Sequence, residues 1–267
     1  MTKWTVTLFM ISILGLCSTL PAQTPVERSW TILKSGLADE KDDARAKAVD
    51  ALGLMAKDHQ ARQLAEAALA DSNSEVRAEA AAALGHIGLR ESVPKLKLAI
   101  QDTESAVVFS AASALYSMGD PTGYNVYYAV LTGERKAGDK LMESQMKMLK
   151  DPQALGMMGF EVGMGFIPFG GLGFKAIKSI RQDNVTPVRA AAAQKLAHDP
   201  DPKSAKALVD ATSDEKWLVR ASAISAIAQR GDAALLSSVI PKLDDEEDGV
   251  RFNAAAAVIR LSGGRAK

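Results

Sequence analysis

Residues 71–85 read Asp71-Ser72-Asn73-Ser74-Glu75-Val76-Arg77-Ala78-Glu79-Ala80-Ala81-Ala82-Ala83-Leu84-Gly85, and the stretch recurs along the chain. Aligned on Val76, the copies fall at Ala44, Val76, Val107, Val188, Val219 and Val250, with spacings of 32, 31, 81, 31 and 31 residues. Five positions before each anchor stands an aspartate: Asp39, Asp71, Asp102, Asp183, Asp214 and Asp245. One position after it stands Arg45, Arg77, Arg189, Arg220 or Arg251, with Val108 as the exception. Four positions after it the residue is always alanine, and eight positions after it always aliphatic, from Leu52 and Leu84 to Ile227 and Val258.

Anchor, anchor plus four and anchor plus eight share one face of a 3.6-residue helix. Alanine in the middle of that face lets a neighbouring helix approach closely, and alanine is also the strongest helix former. A period near thirty with such a face predicts stacked helical hairpins, each closing its apolar stripe only against the next. The expected fold is therefore all-α, an α-solenoid of antiparallel helix pairs. The aspartate just ahead of each motif helix is placed to cap free N–H groups at the positive end of the helix dipole.

The Asp-x4-Val-Arg-x2-Ala-Ala-x2-Leu pattern over residues 30–120 and 183–262 resembles the HEAT-like repeats, including the short bacterial type found in phycobilisome lyases. The resemblance implies two helices per unit, with the motif on the second. It implies a ladder between arginines and aspartates of adjacent units, here Asp39, Arg45, Asp71, Arg77, Asp183, Arg189, Asp214, Arg220, Asp245 and Arg251, interrupted at Val108. It also implies a concave side lined by the motif helices. The outward positions on that side are Lys47, Asp50, Glu79, Ala82, Ser110, Ser113, Ala191, Gln194, Ser222, Ser225, Asn253 and Ala256. These are small and polar, and weak anchors for a partner. By family analogy alone, a lyase-type helper or an enzyme is an alternative function.

Five segments follow. Residues 1–22 read as a secretory signal, with Lys3 ahead of an apolar run from Trp4 to Leu16 and a small-residue cut after Leu20-Pro21-Ala22. Residues 23–132 and 183–262 are repeats, 133–182 an insertion and 263–267 a tail. Residues 23–29 read as a linker, and 124–131 as the first helix of a fourth unit whose motif helix lies beyond the insertion. The signal predicts export to the periplasm or beyond. Leu14-Gly15-Leu16-Cys17 offers lipidation as a minority alternative, and an uncleaved anchor is another. Cys17 is the only cysteine, so cleavage near Gln23 leaves no thiol for a disulfide or for catalysis.

Charge balances at 32 basic and 32 acidic residues, which argues against a nucleic-acid partner. His59, His86 and His198 sit in different units at no ligand-like spacing, and no catalytic set, metal site or cofactor motif is expected. Asp244 to Asp248 form an acidic turn expected to be solvated. The insertion is the distinctive stretch. Asp139–Lys150 predicts an amphipathic helix with Met142, Met146 and Leu149 on one face. Leu155–Phe174 holds seven glycines and four phenylalanines with a single charge, Glu161. Three readings stand: a hairpin packed on the solenoid, a partner-binding lobe, or a loop touching a membrane surface. Lys175, Lys178 and Arg181 beyond it suggest a weaker anion site. The candidate partner-binding residues are Phe160, Phe166, Pro168, Phe169, Phe174, Met142 and Met146. The expected function is an exported, non-enzymatic interaction scaffold for a protein partner.

Overall fold

The structure, a computed structural model, describes residues 23–132 and 185–263. Within them the chain is helical: α1 (Pro25–Leu37), α2 (Asp42–Leu52), α3 (His59–Ala68), α4 (Ser74–Ile87), α5 (Val93–Ala99), α6 (Ser105–Ser117) and α7 (Pro121–Thr132). After the segment outside the described residues come α8 (Val185–Leu196), α9 (Pro202–Ala211), α10 (Trp217–Arg230), the short α11 (Leu236–Val239) and α12 (Asp248–Leu261). Residues 23–29 are not a linker. Thr24 and Glu27 form a capping box and Pro25 takes the first helical position, so α1 begins four residues earlier than the apolar pattern suggested. Residues 233–244 form 3-10 turns either side of α11, with Pro241 in the second turn.

The motif helices are α2, α4, α6, α8, α10 and α12, and they form one continuous layer. Its order in space is not its order in sequence. α8 packs on α10, α10 on α12, α12 on α2, α2 on α4, and α4 on α6. The last unit of the chain thus adjoins the first, α12 packing against both α1 and α2. α1, α3, α5 and α9 each cover their own motif helix, and α7 covers α6 at one end. α7 and α8 are therefore not two halves of one unit, as the sequence spacing suggested. α7 closes one end of the stack and α8 stands at the other.

The alanine seams are closed as expected in the middle of the stack. Ala48, Ala80, Ala111, Ala223 and Ala254 are fully buried, with Leu52, Leu84, Leu115, Ile227 and Val258 beside them. A fully buried Leu or Ile contributes roughly 1.5–3 kcal/mol, and that burial exists only because a neighbour is present. α8 shows the converse: its anchor Val188 is 66% exposed and Ala192 is exposed. Close approach accounts for two glycines. A Cβ on Gly36 would lie 2.5 Å from the Phe252 ring and 2.9 Å from Ala48 Cβ. One on Gly123 would lie 2.5 Å from the Ala112 carbonyl oxygen, where α7 crosses α6.

Candidate interaction surfaces

The two edges of the motif layer are built from opposite ends of its helices. At the N-terminal edge each described motif aspartate lies two residues ahead of the N-cap and does not cap the helix. Its carboxylate instead accepts a backbone N–H two positions on, forming the entering turn: Lys41 at 2.8 Å from Asp39, Asn73 at 2.8 Å from Asp71 and Glu104 at 2.9 Å from Asp102. Lys216 and Glu247 do the same with Asp214 at 3.0 Å and Asp245 at 3.1 Å. Arg77 then ties this turn to the next. Its Nη1 donates to the Asp71 and Ser72 carbonyls at 2.9 and 3.1 Å, and its Nε and Nη2 form a fork on Asp102 at 2.8 and 2.9 Å. Arg45 holds Asp71 the same way at 2.8 and 3.0 Å, and Arg220 holds Asp245 at 2.9 and 2.8 Å. Arg189 pairs with Asp214.

The ladder stops at two places. Val108 is buried and has no charge to offer, and beyond it Asp120 is held by Lys97 at 2.9 Å. At the seam between α12 and α2, Arg251 pairs with Asp248 on its own helix, while the Asp39 carboxylate accepts only the Lys41 N–H among the described residues. A different contact serves there: Arg28 of α1 pairs with Asp244. The acidic turn is thus shared among Arg28, Arg220 and Arg251 and is not merely solvated.

Electrostatics follow the geometry. The Arg45 guanidinium holds the Asp71 carboxyl below the usual carboxylate range, and Arg77 does the same for Asp102. For Asp245, burial pushes the pKa up, and the Arg220 fork, the Glu247 N–H and the Lys242 charge together outweigh it, leaving a net lowering. Lys97 and the Thr122 hydroxyl and N–H bring Asp120 down to about 2.

At the C-terminal edge, cations donate to carbonyls at the ends of four motif helices, α2, α4, α6 and α8. Lys57 Nζ reaches Gly88 O at 2.5 Å, Arg90 Nη1 reaches Met118 O at 2.6 Å, and Arg260 Nη1 reaches Leu54 O at 2.5 Å. Arg230 donates to the carbonyls of Leu196 and Asp199 at 3.1 and 2.5 Å. Lys57 takes a left-handed φ of 63°, held by its N–H donating to Ile87 O at 2.9 Å.

The outward positions listed by the repeat do not form an open polar groove. Glu79, Ser222, Ser225, Asn253 and Ala256 are buried, because the motif helices are drawn together on that side. Gln194 donates to Ser222 O at 3.0 Å and Asn253 to Ala221 O at 3.3 Å, cross-linking neighbouring helices. Lys47, Asp50, Ala82, Ser110, Ala191 and Gln194 are half-buried, and Ser113 is exposed. The described surface with anchor-type side chains is at the α7 end. Tyr116, Tyr124 and Tyr128 are 58%, 54% and 43% exposed, and Leu131 is exposed beside them. Tyr124 and Tyr128 stack with ring centroids 5.9 Å apart, and Tyr116 meets Tyr127 edge-on at 5.8 Å. Tyr124, Tyr127 and Tyr128 fall within the 124–131 stretch read from the sequence as the first helix of a fourth unit.

The repeats' identity rests on their matched extent. The HEAT repeats family matches residues 30–116, 61–132 and 175–260, more than half of the chain. The chain belongs to the HEAT-repeat family. Its HEAT units form a scaffold of the kind that mediates protein–protein interaction. Among solved structures it is similar to the CpcE–CpcF complex of phycocyanin lyase from Nostoc sp. PCC7120, at 18% identity over 98% of this chain and 95% of that one, with a TM-score of 0.35. It is also similar to human deoxyhypusine hydroxylase in complex with glycerol, at 19% identity over 90% and 86%, TM-score 0.30. A designed armadillo repeat protein matches at 15% identity over 86% and 98%, TM-score 0.27. Among curated proteins none matches.

Of the residues singled out in the sequence, Met142, Met146, Phe160, Phe166, Pro168, Phe169, Phe174, Lys175, Lys178, Arg181 and Asp183 lie outside the described residues, as do residues 1–22. No helix among the described residues is long and apolar enough to cross a membrane. The seam residues Arg28, Gly36, Phe252 and Arg260 were not singled out. Their only sequence signals are a glycine inside the α1 pattern and an aromatic two positions after the last anchor, where the third copy also carries Phe109 and the other copies alanine.

Proposed function

We propose that this chain is an exported, non-enzymatic HEAT scaffold that holds a protein partner, with the α6–α7 end of the stack as a docking face. The exposed tyrosines carry the reading. A solenoid end normally needs a polar cap to stay soluble, and here it presents Tyr116, Tyr124, Tyr128 and Leu131. Tyrosine supplies large contact area at low entropic cost and is the residue type that dominates interface energies. The apolar insertion over 133–182 joins the same end of α7 and adds further anchors in sequence, Phe160, Phe166, Phe169 and Phe174 among them. Export rests on the signal-like residues 1–22.

The test is a pull-down from envelope extract with the tagged mature chain and its Tyr124→Ser/Tyr128→Ser variant. A partner recovered by the wild type and depleted at least fivefold with the variant is expected. Equal recovery of the same partner moves the site away from this face. A second arm addresses the insertion. Excising 133–182 would leave two residues, a reach of about 7 Å. The stack between α7 and α8 spans six motif helices at about 8–10 Å each, so roughly 40–50 Å. A Gly/Ser replacement of equal length has a root-mean-square reach of about 40 Å and keeps the fold intact for the comparison.

A further inference from the structure

The seam between the first and last HEAT units borders a half-open cavity of about 530 Å³ that no repeat-level role explains. It is formed by elements far apart in sequence: Trp30 of α1, Met55, Lys57 and Asp58 between α2 and α3, His59 at the start of α3, and Arg260 at the end of α12. We propose that this cavity binds a small organic anion, a carboxylate or sulfonate on an apolar or aromatic body.

Three observations converge on that class of ligand. The volume lies within the roughly 300–1,000 Å³ typical of small-molecule sites. Trp30 and the buried Met55 give it an apolar wall on which a planar body can lie. The charge inside it is positive and incompletely matched. Lys57 is committed to Gly88 O at 2.5 Å, and the Asp58 carboxylate is committed to the Ala61 N–H at 2.7 Å, capping α3. Arg260 is half-buried, donates one hydrogen bond, to Leu54 O, and forms no ion pair among the described residues.

Arg230 is the instructive contrast. It ends α10 as Arg260 ends α12, and its own cavity, about 280 Å³, includes Asp199 and Asp232. Among the described residues the seam cavity has no such second carboxylate. A half-buried guanidinium carries five N–H donors in a planar fork suited to two oxygens of one acid group. Burial already makes its charged form costlier, which an anion in the cavity would relieve. His59, exposed on the rim, adds a further donor beside the opening. Such a ligand touches both halves of the chain at once, and its binding stabilises the stack by mass action.

The probe is 8-anilinonaphthalene-1-sulfonate, an anion with an aromatic body, titrated into the full mature chain and followed by fluorescence. The expected result is one saturable site that Arg260→Gln weakens at least tenfold. His59→Glu, a rim substitution at an exposed position, is expected to weaken it at least threefold with the thermal midpoint unchanged. The proposal is overturned if the wild type shows no saturable site. It is equally overturned if His59→Glu binds within a factor of 1.5 of wild type while Arg260→Gln, still folded by circular dichroism, binds within twofold.

Discussion

At the scale of single residues, the seam depends on an absence of atoms. Gly36 has no side chain so that the Phe252 ring can lie on α1. Gly36→Ala forces the ring or the helix to move and is expected to cost about 1–3 kcal/mol, lowering the thermal midpoint by several degrees. Adding Phe252→Leu should recover part of that loss, and strict additivity of the two changes would show that they are not in contact. The ladder offers a second comparison. The Arg220 and Asp245 side chains are 10% and 9% exposed, whereas Arg189 is 47% exposed. Arg220→Ala leaves a buried carboxylate without its partner and is expected to cost about 3–5 kcal/mol. Arg189→Ala removes a guanidinium that is itself 47% exposed, from an Asp214 side chain 11% exposed, and should cost less than Arg220→Ala. Chemical denaturation of the two variants, read as midpoint shifts, checks the ranking.

At the scale of elements, the repeated Asp–Arg device makes stability depend on acid. Asp71, Asp102 and Asp120 all have pKa values lowered in the folded chain, by Arg45, Arg77 and Lys97 respectively. Below about pH 4 the unfolded chain takes up protons on these groups that the folded chain refuses. Their contribution is therefore complete above the unfolded value near 4 and is lost as pH falls through the lowered folded values, down to about 2 at Asp120. The urea midpoint is expected to fall steadily from pH 5 to pH 2.5. Arg77→Met, which frees Asp102 from its fork, should give a shallower fall; a wild-type midpoint that stays level over this range contradicts the ladder's role. The motif aspartate itself was legible in the sequence, yet its task was not. Spacing placed it before the helix, and only coordinates show that it shapes the turn and receives the neighbour's arginine instead of capping.

At the scale of the whole molecule, the unusual feature is the order of units. The first and last described helices, α1 and α12, lie side by side in the middle of the stack, with Val26 and Gly263 both lining the seam cavity. A circular permutant starting at Val185, running to Gly263, joined by a short Gly/Ser linker to Thr24 and ending at Thr132, would place all six motif helices in linear order without residues 133–184. It is expected to fold with the same helical content and unfold in a single transition. Two separate transitions, or loss of helix, would show that the first and last units do not adjoin.

The sequence by itself determined the class of fold and the chemistry of its seams. A thirty-one-residue period, alanine at anchor plus four and an Asp–Arg pair are local patterns, and each constrains a helix and its immediate neighbour. Only the tertiary structure decided which neighbour that is. Nothing in the period distinguishes a unit that packs on the next unit in sequence from one that packs on the first unit of the chain, because every motif face is alike. The choice is made by shape at one contact, Phe252 against Gly36 with Arg28 and Asp244 beside it, and such complementarity lies between residues more than two hundred positions apart.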